Sequence, residues 1–174
     1  ELAMLEGLHA ACVSEPSAHA AVVKAAAGAG KSRLRQELLA RIELAAERAD
    51  EPAPTVFIGR GDPMRSSSPF GLMAQAIRDG AGVTGEQTRE ERRGALGAFG
   101  GGRIAGEEGA RVAAFLGEMA GVSMDPEEGG SLLEQLRAAR QDAMLMGDQI
   151  RHALEALVVA ECARRPLILV PGKG

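Results

Sequence analysis

Residues 25–32 read Ala25-Ala26-Ala27-Gly28-Ala29-Gly30-Lys31-Ser32, and the reading of the whole chain turns on them. Gly28 and Gly30 let the main chain curl so that successive N–H groups face one concavity, with no Cβ between backbone and an anion. A helix opening near Lys31 adds unpaired N–H donors and the positive end of its dipole. Lys31 supplies a compact cation for β- and γ-phosphates, and Ser32 a hydroxyl for Mg2+. The stretch departs from G-x-x-x-x-G-K-[ST] at one point, where Ala25 stands in place of the first glycine. If that position required a positive φ, alanine would cost about 1 kcal/mol there. The plain alternative is a Gly/Ala-rich turn between strand and helix that binds nothing.

The flanks favour the phosphate loop. Ala18 to Ala26 is a short apolar run that predicts a buried strand. Lys31 to Arg48 predicts a long helix with Leu34, Leu38, Leu39 and Ile42 on one face. Upstream, Leu2, Leu5, Leu8 and Val13 predict a helix over 1–13, broken by Ser14-Glu15-Pro16-Ser17. Downstream, a loop over 50–54 leads to a strand from Thr55 to Ile58, bounded by Gly59. A polar loop over 61–69 follows, with Pro69 a start signal for a helix over 70–78. Thr84 is positioned to cap a charged helix running to about Leu96. Residues 94–109 hold seven glycines and predict a mobile loop. Helices are expected over 107–120 and 131–164, the second breaking near Gly147, and Leu167 to Val170 predicts a last strand. Strands alternating with helices imply a helix-rich α/β layered fold with parallel strands.

Composition narrows the class. The 174 residues suffice for one domain with a core, and 45% hydrophobic against 25% charged residues indicates a globular chain. Aromatics make up only 2%, so the core is expected from Ala, Leu, Val, Ile and Met. A formal net charge of -4 argues against a general nucleic-acid or membrane-surface binder. Cys12 and Cys162 lack metal or disulfide spacing, which points to a reduced, cytoplasmic setting. No apolar run is long enough to span a membrane. The chain opens on Glu1 and stops at Gly174, directly after a strand-like run, so both ends read as cut.

With the loop in place, the match widens. Glu1-Leu2 to Leu5 and Val22-Val23 through Gly30-Lys31-Ser32-Arg33-Leu34 resemble the STAND-type AAA ATPase domains of bacterial signalling proteins, a branch of the P-loop NTPases. Arg60-Gly61-Asp62-Pro63, Ser68-Pro69-Phe70-Gly71 and Ala139-Arg140-Gln141-Asp142 through Leu145-Met146-Gly147-Asp148-Gln149 resemble further blocks of that family. The resemblance implies a P-loop NTPase-like three-layer fold whose N-terminal part spans 1–174. It also implies ATP or ADP and Mg2+ as ligands, and a switch between resting and assembled states. The nucleotide would be held by Ala27, Gly28, Ala29, Gly30, Lys31, Ser32 and Arg33, with Ser32 on the metal. Partners would be other domains of a larger regulatory protein, of kinase, cyclase or transcription-factor type.

Two departures follow from the same comparison. The glycine-arginine segment that precedes the Glu-Leu start in the family is not in this chain. Leu167-Ile168-Leu169-Val170 resembles the Walker B strand, but Pro171-Gly172-Lys173-Gly174 follow where the family has acids. No catalytic acid is assignable, so the expectation is nucleotide binding with poor hydrolysis. The alternative is a non-hydrolysing interaction or scaffold domain derived from such an ATPase. A strand that lies between the P-loop and Walker B strands in the family is also missing, which predicts an incomplete parallel sheet.

Other candidates have simpler readings. Arg60 and Asp62 follow the second strand, where ligand crevices form in α/β folds, but a local ion pair stabilising a turn is the favoured account of them. Asp142 and Asp148 suit caps and turn bonds near Gly147 as well as a switch. Met144, Met146, Ile150, Leu154 and Leu157 read as core. His9, His19 and His152 lack ligand spacing. Glu86, Glu90, Glu91, Arg89, Arg92 and Arg93 form a mixed, solvated helix face.

Overall fold

Helix α1 (Leu2–Ser14) ends where the sequence demands, with Glu15 extended (φ -120, ψ 103) before proline. Helix α2 (Lys31–Ala49) starts one residue after Gly30 and closes at Asp50, which takes the left-handed region (φ 54) open to a short polar side chain. The N–H of Glu51 returns to Ala46 O at 3.0 Å and satisfies one of the last carbonyls. The computed structural model describes residues 1–15, 17–26, 28–61, 70–123 and 130–173. Two compact units divide the chain, Glu1–Pro54 and Thr55–Gly174, where composition suggested one domain.

In the first unit α1 packs on α2, and Arg41 of α2 reaches Glu6 of α1 at 3.5 Å and Glu37 at 2.8 Å. Little apolar area is removed from water. Ile42 is the buried residue of α2, Leu34, Leu38 and Leu39 of the expected face are half-buried, and α1 buries none of its residues. The strand expected over 18–26 is not formed. These residues enter no helix or ladder and are exposed, Val22 to 79%. A strand's N–H and C=O groups need a ladder partner, and the two strands found among the described residues pair with each other.

The second unit builds a two-stranded parallel sheet from β1 (Thr55–Gly61) and β2 (Leu167–Lys173), in register from Thr55 against Leu167 to Gly61 against Lys173. Among the described residues five helices fill the crossover: α3 (Gly71–Gly80), α4 (Arg89–Gly101), α5 (Gly106–Ala120), α6 (Ser131–Gln141) and α7 (Ala143–Cys162). The result is helix-rich α/β, as alternation predicted. Helix α5 is buried from Val112 to Gly117, a continuous apolar stretch, against α3, α4, α6 and α7. Gly59 lets α3 lie on β1, since a Cβ there would meet Leu72 O at 2.5 Å.

Several expectations need correction. Scarce aromatics are not absent from the core: Phe57, Phe99 and Phe115 are all buried, with the Phe57 and Phe99 rings 6.0 Å apart. Residues 94–109, expected as a mobile loop, instead form the end of α4, a short turn and the start of α5, with Leu96, Phe99 and Gly109 buried. Thr84 does not cap α4. The Gln87 side chain accepts from Thr84 N–H and donates to Gly82 O, holding a turn there. The cap is Thr88, which exchanges bonds with Glu91 in a capping box. The break expected near Gly147 falls at Asp142, whose carboxylate accepts from Met144 N–H (2.8 Å) and Leu145 N–H (3.2 Å). Gly147 continues within α7, because an interior glycine costs only about 1 kcal/mol. Ile150 and Leu157 are core as expected, whereas Met144 is 79% exposed.

Among the described residues one charge lies inside. Glu161 of α7 is 3% exposed, accepting from Thr55 Oγ1 at 2.8 Å and pairing with Arg103 Nε. Arg103 also donates to Phe99 O at 2.8 Å and covers the Phe99 ring at 3.8 Å. The carboxylate thus ties α7 to the start of β1 and to the α4–α5 turn. In the first unit, His9 Nε2 is buried without a hydrogen-bond partner among the described residues, and this burial lowers the imidazole pKa below its ordinary 6.5.

Glu161→Ala should lower stability by about 1–3 kcal/mol, because Thr55 and Arg103 lose their partner. A urea midpoint unchanged by the substitution would refute the tie. For His9 the folded pKa lies below the unfolded one, so its full contribution is present above about pH 6.5 and is lost as pH falls through the lower folded value. Thermal unfolding of wild type against His9→Met, followed from pH 8 to 5, should show the two melting curves diverging only on the acid side.

Candidate phosphate-binding site

The loop before α2 takes the backbone course its glycines allow. Gly28 and Gly30 have φ of 79° and 85°, and Gly30 is the N-cap of α2. Space does not select these glycines, since a Cβ at either would meet nothing within 4 Å; the positive φ does. Ala29 N–H turns back to Ala26 O at 3.3 Å, and Leu34 N–H to Gly30 O at 2.9 Å closes the first bond of the helix.

No side chain caps this helix start, and its first turn carries no acid. Lys31, Ser32 and Arg33 occupy it, all exposed. Cations thus stand at the positive end of the helix dipole, an arrangement unfavourable to the free helix and favourable to an anion. The Lys31 ammonium folds back on the loop, donating to Ala25 O at 2.8 Å and Ala26 O at 2.7 Å. An ammonium has three donors, so one remains after these two bonds. Of the residues expected to hold nucleotide, Gly28, Ala29, Gly30, Lys31, Ser32 and Arg33 are therefore contiguous at one helix start; Ala27 lies outside the described residues. The buried strand expected in front of the loop is not part of this arrangement.

The secondary candidates separate. Asp142 is a helix cap and Asp148 pairs with Arg151, both local roles. The Arg60 side chain and Asp62 lie outside the described residues. Arg93, read as part of a solvated face, donates to Ser123 O at 2.7 Å. Cys12 and Cys162 are free thiols, and no group of three metal-ligating side chains is found among the described residues. No described helix is long and apolar enough to cross a membrane. Glu161 went unnoticed in the sequence although a signal existed: it continues the buried series Ile150, Ala153, Leu157 on one face of α7. The Lys31 bonds to main-chain carbonyls carry no sequence signal beyond the loop itself.

Comparison with protein-family models, curated proteins and solved structures found no match to the chain. The family resemblance therefore rests on the sequence blocks alone.

Gly30→Ala should destabilise the first unit by about 1–2 kcal/mol, the cost of a left-handed alanine. Gly7→Ala, in the interior of α1 with open space around it, should instead stabilise by up to about 1 kcal/mol. Helical circular dichroism against urea reads both signs, and a neutral Gly30→Ala would show that the positive φ is not needed.

Proposed function

We propose that the chain binds the phosphates of a nucleotide, together with Mg2+, through the loop over 25–32, as an ATP-binding regulatory module of the STAND type. The observation that carries this reading is the placement of Lys31 beside an uncapped, acid-free helix start behind two glycines of positive φ. The donor set fits a polyphosphate: free N–H groups of the first turn, one remaining ammonium N–H and the Arg33 guanidinium all favour anionic oxygens. Ser32 would hold Mg2+ through its hydroxyl, and the metal would supply charge neutralisation between phosphate oxygens. Gly28, Ala29 and Gly30 would contribute backbone N–H groups, with Ala27 beside them. The P-loop three-layer architecture and the link to kinase, cyclase or transcription-factor domains belong to the same proposal and rest on the sequence resemblance.

A second reading is favoured by the residues at the carboxyl end of β2. Pro171, Gly172 and Lys173 extend that strand and none carries a carboxylate to orient an attacking water. On that reading the chain binds nucleotide as an interaction module and does not hydrolyse it. The two readings share the binding step and part at phosphate release.

A fluorescent ATP analogue in Mg2+ should bind the wild-type chain. Lys31→Ala should weaken binding tenfold or more, since a hydrogen bond to a charged group contributes about 1.5–3 kcal/mol. Equal affinity in the two proteins removes the site assignment.

A further inference from the structure

We infer that His9 is an acid-sensitive latch between α1 and α2, whose protonation lets α1 leave α2 while the second unit stays folded. The half-buried residues of α1 are Leu2, Leu5, Glu6, Leu8, His9 and Cys12, which share one face of the helix. Helix α1 packs on α2. Within that face His9 Nε2 is buried and has no hydrogen-bond partner among the described residues. A neutral imidazole tolerates such a place, because one of its ring nitrogens carries no hydrogen. An imidazolium does not, because both nitrogens are then donors and the ring is charged. The charges of the two helices do not offset this. Glu6, one turn before His9, is paired with Arg41 of α2, which also holds Glu37; Arg35 of α2 is half-buried and of the same sign as the imidazolium. Desolvation accounts for the lowered pKa of His9, with no carboxylate opposing it. Little else holds the helix pair: α1 has no fully buried residue, Ile42 is the buried residue of α2, and the solvated Glu6–Arg41 pair contributes little. The core of the second unit, around Phe115 and Leu116, lies wholly within 55–174 and contains no histidine. The folded pKa lies below 6.5, so the latch holds above that value and releases as pH falls through the folded one.

Cys12 shares the inward face with His9, whereas Cys162 is exposed, so thiol labelling reads the latch once Cys162 is replaced. In the 174-residue chain carrying Cys162→Ser, the rate at which 4,4′-dithiodipyridine labels Cys12 is divided by its rate in denaturing urea at the same pH. This ratio should rise about threefold or more between about pH 8 and 5, and level off once the His9 imidazole, followed by NMR, is protonated. With His9→Leu added, which takes up no proton, the ratio should stay level. Amides of Val112, Phe115 and Leu116 should keep their exchange protection throughout, showing that the second unit does not open. A ratio independent of pH with His9 in place, an equal rise with His9→Leu, or loss of α5 protection along with the rise overturns the inference. If His9→Leu leaves Cys12 unprotected at pH 8, the NMR titration decides: a His9 midpoint at or above those of the exposed His19 and His152 overturns the latch, and one below them that coincides with the plateau of labelling upholds it.

Discussion

The burial of α5 is the constraint on which the second unit depends. Val112, Phe115 and Leu116 have no exposed surface, and four helices pack around them. Burying a side chain of this size contributes about 1.5–3 kcal/mol, so α5 alone carries a large part of the driving force. Its position fixes the others: α4 turns back onto it through Arg103, α6 and α7 close over it, and α3 bridges it to β1. Glu161 then joins three of these elements through one carboxylate. A buried charge of this kind adds little net stability but leaves few alternative packings that satisfy it.

The first unit is held differently. With Ile42 the buried residue of α2 and none in α1, apolar burial is thin, and local bonds do more of the ordering. Glycine φ angles, a helix start and one lysine shape the candidate loop, all within a few residues. That locality is why the loop can be described without reference to the sheet.

Local physics is also what the sequence exposes. The spacing of Leu34, Leu38, Leu39 and Ile42 located α2, and Gly28 with Gly30 located the turn before it, because both depend only on neighbours in the chain. What failed depends on distant partners or on competition between similar signals. Ala18 to Ala26 has a strand's composition, but a strand exists only if a ladder accepts it. Thr84 and Thr88 are both competent caps, and the Gln87 side chain decides between them by holding the turn at Gly82. Glycines over 94–109 suggested a loop, yet Leu96 and Phe99 carry enough apolar surface to fold that stretch onto α5. Asp142 outcompetes Gly147 as a break because it satisfies two N–H groups. In the candidate site, the contiguous loop residues were legible and the grip of Lys31 on the carbonyls was not, because it depends on how far the side chain curls back.

The pairing of β1 with β2 has a consequence for the order in which the chain folds. Thr55 and Leu167 are more than a hundred residues apart, while the contacts of α4 with α5 and of α6 with α7 are nearly local. Closing so long a loop carries its entropic cost before any ladder bond forms, which favours condensation of the helical layer ahead of the sheet. Until then Val56, Ile58, Ile168 and Val170 are bare, β-prone and uncharged, which makes this interval the one in which two nascent chains can pair strand to strand.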